Sequence, residues 1–569
     1  MYFIRLITVC LAGFLLFVSV LISPPPSAQT VFVDQGADWT RDRRASFYTQ
    51  DQGSRIMPLT WMQGLTTDTG EAFLHDGLER YGYLPNPGGT SANLPVGFTL
   101  GGNPASVGMT CSACHTRQIE VNATPYRIDG GPGIVDFQSF LSDLDTAMGR
   151  ALADDASFDA FADVVLGGSS SPTAKAELKI EAELWYLRFN TIVSRSLPDP
   201  AWGPSRLDAV SMIFNRLAGL DVGPPPSYII ADNIAKADAP TRYPFLWNAA
   251  RQDKTQWPGF ADNGTDLLGL ARNLGEVYGV FGIFHPTEQS GLFKLNRDYT
   301  SNNSANFEGL KRVEDLIKDI GPPKWLWELD ESLVAQGEQL FNMPPEEGGC
   351  IACHGITRGA RWGTWGTPVQ DVGTDTAECR ILGRMVDTGV MSGAKIPVIG
   401  IEIQPQDTAF NLLSASVIGA IIQDYLSFGA SGSDVALTAE STSLPPSMIN
   451  DLDAAFRTPD AGLTTGGCKY EARVLQGIWA AAPYLHNGSV ATLEDLLKPA
   501  AERQDSFMIG PNYDIQAVGL SAQQDRFDYI LNTTGCDDLG SGNSRCGHEY
   551  GTGLTEEDRR ALLEYLKSL

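Results

Sequence analysis

Apolar positions recur with helical spacing in several stretches of the chain, whereas the strict alternation of a half-buried strand is rare. Thr173 to Ser194 reads as a helix. Glu331 to Phe341 reads as an amphipathic helix with Leu333, Leu340 and Phe341 roughly on one face. Near the end, Thr555 is a predicted N-cap with acidic residues in the first turn, and the helix it opens carries Leu562, Leu563 and Leu566. The expected fold class is therefore mainly α, with few strands. Pro322-Pro323 after Gly321 marks a boundary between the halves, and we set the expected units at 29–325 and 326–569.

The first residues differ in pattern. Arg5 precedes an uncharged, predominantly apolar run from Leu6 to Ile22, followed by Ser23-Pro24-Pro25-Pro26-Ser27-Ala28. A positive leader, an apolar stretch and a small-residue exit predict a secretory signal over 1–28. The run is near the lower limit for spanning a bilayer, so an uncleaved anchor is the alternative. No later segment reads as apolar enough to span. The expected location is periplasmic or secreted.

Charge narrows the partners. The formal net charge is -27, from 68 acidic and 41 basic residues, which argues against nucleic acid and anionic membrane surfaces. A soluble partner with a basic face, or an uncharged substrate, suits this surface; ordinary solubility is the blander explanation.

The cysteines carry the chemistry. Cys111-Ser112-Ala113-Cys114-His115 and Cys350-Ile351-Ala352-Cys353-His354 are both Cys-x-x-Cys-His. Two thiols at this spacing reach the two vinyl groups of one porphyrin, and the next residue places an imidazole at the iron. Composition alone would give such a motif about 0.0015 times in this chain, so two by chance are implausible. A zinc ribbon needs only the Cys-x-x-Cys pairs, and a thioredoxin-like motif would not be duplicated with histidines. Two covalent haems c are the reading, with His115 and His354 as proximal ligands. Cys10 lies in the apolar leader, and four cysteines remain: Cys379, Cys468, Cys536 and Cys546. They allow three pairings. Cys536 with Cys546 closes a short loop and leaves Cys379 for Cys468; free thiols are the alternative.

The motifs are far enough apart for each to sit in its own domain. A helix before Cys350 and a last helix crossing it is how a cytochrome c domain closes. The N-terminal half exceeds that minimum, with insertions that include the aromatic stretch Arg242-Tyr243-Pro244-Phe245-Leu246-Trp247 to Trp257-Pro258-Gly259-Phe260. Two cytochrome c-like domains follow, the N-terminal one enlarged by insertions.

With these motifs, the segment Ala482-Pro483-Tyr484-Leu485-His486-Asn487-Gly488-Ser489-Val490-Ala491-Thr492-Leu493 and the Pro244 to Trp247 stretch, the chain resembles the bacterial di-haem cytochrome c peroxidase superfamily. Within it, Gly477-Ile478-Trp479-Ala480, Gly542-Asn543-Ser544 and Gly547-His548-Glu549-Tyr550-Gly551-Thr552 resemble the branch containing rubber oxygenase A. That resemblance implies roles. Trp247 corresponds to a tryptophan relaying electrons between the haems, with an ordinary core tryptophan as the alternative. Glu276 corresponds to a carboxylate acting on peroxide, although its spacing from Trp247 is longer here; a salt bridge to Arg272 or a surface position is the competing reading. An apolar distal pocket would suit dioxygen and an uncharged polymer, with Phe260 or Phe281 as lining candidates. No methionine follows His486 at the short distance the peroxidases use, Met508 being farther on. The branch instead implies bis-histidine ligation through His548, leaving His486 to fix a nearby loop. Bis-imidazole ligation would lower that haem's potential relative to His/Met. A calcium ion between the domains is a further possibility from the relatives.

Three functions are compatible with these residues. The first is a peroxidase-like oxidoreductase: the N-terminal haem activates hydrogen peroxide, and the C-terminal haem passes electrons from a small soluble donor, a cytochrome c or cupredoxin. The second binds O2 at the N-terminal haem and oxygenates an apolar, isoprenoid-like substrate. The third is a plain electron carrier, for which the aromatic insertion is superfluous.

Overall fold

The computed structural model describes residues 29–569 except 90–91, 169, 293–294, 345–346, 397–400, 432–445 and 457–467. The predicted signal over 1–28 lies outside the described residues. The fold is mixed rather than mainly α, about 40% helical and 15% strand. Among the described residues every sheet has only two or three strands, and many strands are two residues long. Strands that short end before an alternation can show, so the pattern concealed them.

The expected helices form, with ends set by side-chain caps. Pro172–Ser196 opens on Ser171, whose side chain accepts from Ala174 N, and places proline in the first turn, where no N–H is needed. Glu331–Phe341 opens on Asp330 and Glu556–Ser568 on Thr555. These two helices cross closely at Gly337, where a Cβ would lie 2.0 Å from Ala561 O. Beside that crossing Phe341 meets Tyr565 at 5.3 Å.

Three large apolar cores hold the chain together. One, drawn from both halves, joins Ile119, Ile128, Trp247, Trp479, Leu562 and Leu566. A second surrounds the Phe137–Ala151 helix. There the Phe140 ring meets Phe73, Tyr81, Tyr83, Phe98 and Phe137 at centroid distances of 5.7–6.4 Å. Phe140→Ala empties the middle of that cluster. Its expected cost is about 3–5 kcal/mol, read as a lower urea midpoint at unchanged slope.

The third core packs the Ala409–Ser431 helix against Asp266–Gly279. The expectation that no segment beyond the leader is long and apolar enough to span a bilayer fails here: Ala409–Leu426 passes by length and composition. Yet 72% of that window is buried inside the protein, so its apolar character serves the core. Two disulfides form, Cys379–Cys468 and Cys536–Cys546, the set that includes the short loop.

Candidate functional site

Cys111–Ala113 is a tight turn between the strands Ser106–Met109 and Thr116–Val121. Gly97 makes room for it: its φ is +77°, and a Cβ there would stand 2.1 Å from Ala113 N. Beyond the turn, His115 Nδ1 donates to Pro244 O at 2.8 Å. That bond fixes the tautomer and leaves Nε2 with its lone pair. Burial holds this imidazole neutral, down to about 4. Burial likewise pushes the Cys114 thiol up to about 12 and raises Cys111. Two residues past His115, the buried Arg117 donates to Ala482 O and to Pro132 O, tying this motif to the Pro483–His486 segment.

The second motif repeats the same device. His354 Nδ1 donates to Arg473 O at 2.7 Å. Cys350 and Cys353 are free thiols, and burial raises Cys350 to about 11. The two motifs differ in exposure: Ser112 is 0% and Ala113 4% exposed, whereas Ile351 is 39% exposed. One motif lies inside the protein; the other reaches its surface.

His548 stands opposite His354. The turn carrying it is pinned from several sides. Gly547 (φ +84°) packs so close to Thr374 that a Cβ would lie 2.4 Å from its N. His548 N donates to Val372 O at 2.8 Å. Arg503 donates to the carbonyls of Arg545 at 2.6 Å and Gly547 at 2.8 Å, and the Cys536–Cys546 disulfide closes the loop just before. His548 itself has φ +51°, an unusual conformation for a non-glycine residue that this bracing maintains. The His354 and His548 rings are 6.1 Å apart, centroid to centroid. Burial lowers His548 to about 3, keeping it neutral, and its Nδ1 is buried without a protein partner.

The remaining histidines lie elsewhere. His486 stacks on Tyr470 at 3.8 Å. His285 stacks on Tyr228 and faces Asp221. His75 is at the surface beside Glu71. None of the other five faces His115.

Residues 244–247 run between the two motifs. Pro244 supplies the carbonyl for His115, and Phe245 O accepts from Arg473 Nη1 at 2.8 Å. The Arg473 guanidinium lies 4.0 Å over the Phe245 ring, which stacks on Trp247 at 4.6 Å and 12°. Trp247 is fully buried and donates Nε1 to Gln476 O at 2.8 Å.

Glu276 lies in the Asp266–Gly279 helix, and its carboxylate accepts from Gln256 Nε2 at 3.1 Å. Arg272 does not pair with it. It makes a two-pronged bond to Glu314 at 2.9 and 3.1 Å and donates to Asn263 Oδ1 at 2.6 Å. Burial raises the Glu276 carboxyl, and the charge of Glu276 in turn helps raise the Cys111 thiol. Glu276, Gln256 and Arg272 border a cavity of about 100 Å³ whose other walls include Phe214, Phe260, Phe410, Leu413 and Val417. Phe260 thus lines this cavity, while Phe281 stacks on Phe189 in the second core.

A second cavity, of about 410 Å³, is lined by Cys350, Cys353, His354, His486 and His548, and by Arg242, Phe245 and Trp257. Many of its walls come from one stretch of chain. Residues 469–508 match the family described as RoxA-like, cytochrome c-like. A cytochrome c-like domain implies haem c, and a RoxA-like cytochrome c relationship makes a haem oxidoreductase the broad class. The uncharacterised protein y4iJ of Sinorhizobium fredii is 26% identical over 598 residues, covering 94% of this chain and 92% of that protein. A second uncharacterised protein of the same organism, y4iM, is 24% identical over 335 residues, 58% of this chain and 60% of its own.

The second cavity fits such a group. Two metal–imidazole bonds of about 2.0–2.1 Å plus about 1.1 Å from each nitrogen to its ring centre give about 6.3 Å across one iron. The 6.1 Å between His354 and His548 is that spacing. The orphaned, neutral His548 imidazole and the two free thiols complete the match. Among the described residues no group of three or more His, Cys, Asp or Glu is arranged to hold a metal ion such as calcium.

Sequence reasoning missed Arg473, Arg503, Gln256 and Glu314. Their roles arise from contacts across 20 to 228 positions. No local pattern signals them.

Proposed function

We propose that the protein is an exported di-haem c-type oxidoreductase of peroxidase type, with one haem at Cys111, Cys114 and His115 and another at Cys350, Cys353 and His354. Its N-terminal half would then be an enlarged haem domain and its C-terminal half an electron-transfer domain. The observation that carries this reading is the inequality of the two proximal histidines. His354 faces a second imidazole at 6.1 Å, and His115 faces none. His354 and His548 would together hold haem at the second motif, which suits electron transfer, whereas His115 alone would hold it at the first and would leave room for a small oxidant.

Bound at these motifs, the haem supplies the one-electron and oxygen chemistry that amino-acid side chains lack. The chain's own residues do the rest. His115 and His354 each hold one fixed tautomer through a backbone carbonyl. Glu276 takes a proton from one oxygen of hydrogen peroxide and returns it to the other, favouring heterolytic cleavage. Arg272 is occupied by Glu314, so the Glu276 carboxylate is left for that task. Two electrons and two protons then balance one peroxide against two waters. The electrons enter from a small soluble cytochrome c or cupredoxin at the exposed second motif and pass the Phe245–Trp247 stack, where Trp247 is the relay.

The apolar cavity beside Glu276 favours a second reading. There O2 would replace peroxide, and an apolar isoprenoid chain would be the substrate. The two readings separate in one assay. Rapid oxidation of reduced cytochrome c on adding hydrogen peroxide is the expected result. Oxygen uptake with polyisoprene, without peroxide or reductant, would replace the first reading with the second.

A further inference from the structure

Among the described residues no carboxylate forms an ion pair with the buried guanidinium of Arg242. Arg242 is 5% exposed, and its hydrogen-bond partners are neutral carbonyls: Nε donates to Leu485 O at 2.9 Å and Nη1 to Tyr243 O at 3.3 Å. The Trp257 ring lies 4.8 Å beneath it. The nearby carboxylate, Glu471, is engaged by Gln252 at 3.3 Å and lies 3.7 Å from Arg473. Arg473 and Arg117 add like charge to the same interior, and burial with their repulsion brings Arg242 down to about 9. Arg242 and Arg473 thus both feel the Glu471 carboxylate, and neither makes a close hydrogen bond to it. A buried cation left uncompensated costs several kcal/mol, and arginine does not escape that cost by losing its proton.

Arg242 and Arg473 both line the cavity that contains Cys350, Cys353, His354 and His548. Haem c carries two propionate carboxylates, anions of the geometry a guanidinium binds by two parallel hydrogen bonds. We propose that Arg242 anchors a propionate of the haem at the second motif, with Arg473 as the neighbouring cation of the same pocket. This rests on the reading that haem is attached at Cys350 and Cys353. It makes Arg242 a positioning residue that also sets the charge around the iron.

The test is spectroelectrochemical, on the full chain. Arg242→Gln should keep two haems by mass and a low-spin second haem, while the equilibrium constant for reducing that haem falls at least tenfold, equivalent to 59 mV for one electron. Arg242→Lys, which retains the charge, should stay within threefold of wild type. A role confined to bracing the Leu485 carbonyl would not separate these two variants by charge. In the wild-type protein, haem labelled with ¹³C at the propionate carboxyls should show an ionised carboxylate in the redox infrared difference spectrum. That arm needs no variant to fold. A wild-type potential in folded Arg242→Gln, or a protonated propionate in the wild-type spectrum, overturns the proposal. Absence of haem from Cys350 and Cys353 by mass overturns instead the reading beneath it.

Discussion

Replacing His548 with alanine is expected to convert the haem at the second motif from low-spin to high-spin and leave the first unchanged. The expectation follows from the 6.1 Å between the His354 and His548 rings and from the bracing of the turn that carries His548. Removing the imidazole would leave haem at this motif held by His354 alone. His486, which lines the same cavity, is held against Tyr470 at 3.8 Å, so His486→Ala should remain low-spin. Added imidazole should restore the low-spin spectrum of His548→Ala by entering the vacated space. Electronic absorption and electron paramagnetic resonance both read the change. A low-spin second haem in His548→Ala without imidazole removes the ligand assignment.

The second large effect is expected at Glu276. Glu276→Gln keeps the shape and loses the proton acceptor, so peroxide-driven turnover should fall about 10²–10⁴-fold. Haem spectra and the reduction of the second haem should stay unchanged. The pH profile supplies an independent reading. Burial raises the Glu276 carboxyl above the ordinary range, with Arg272 opposing. The proton-accepting form is the ionised one, so wild-type turnover should fall as pH is lowered through that raised value. The acidic limb should therefore lie above the 4.5 of an ordinary glutamate and disappear in Glu276→Gln. Turnover within threefold of wild type, or an unaltered acidic limb, would take the proton transfer away from this residue.

How much of this was legible in the sequence depends on the range of the interactions involved. The Cys-x-x-Cys-His motifs are local, spanning five residues each, so they are visible in the sequence itself. The Glu331–Phe341 and Glu556–Ser568 helices were also legible, since caps and apolar spacing lie within a few residues. The strands were not. Pairs such as Val369–Gln370 with Tyr470–Glu471 are two residues long and meet across a hundred positions. The Ala409–Ser431 helix was underestimated because its apolar residues face neighbours on many sides, a property only the packed core reveals. Glu276 was singled out through resemblance alone, and its freedom from Arg272 was not foreseeable, because it depends on Glu314 in another helix. The buried arginines were hidden for a simpler reason. In a sequence, Arg117, Arg242 and Arg473 look like any surface residue.

The central claim is that two haems in one chain are held unequally. Low-temperature electron paramagnetic resonance of the oxidised full-length protein, with haem counted by mass on the same sample, tests it most directly. The account predicts two haems per chain, one high-spin and open to added ligands and one low-spin with two imidazoles. Two low-spin haems that ignore added ligands, or a single haem per chain, would contradict it.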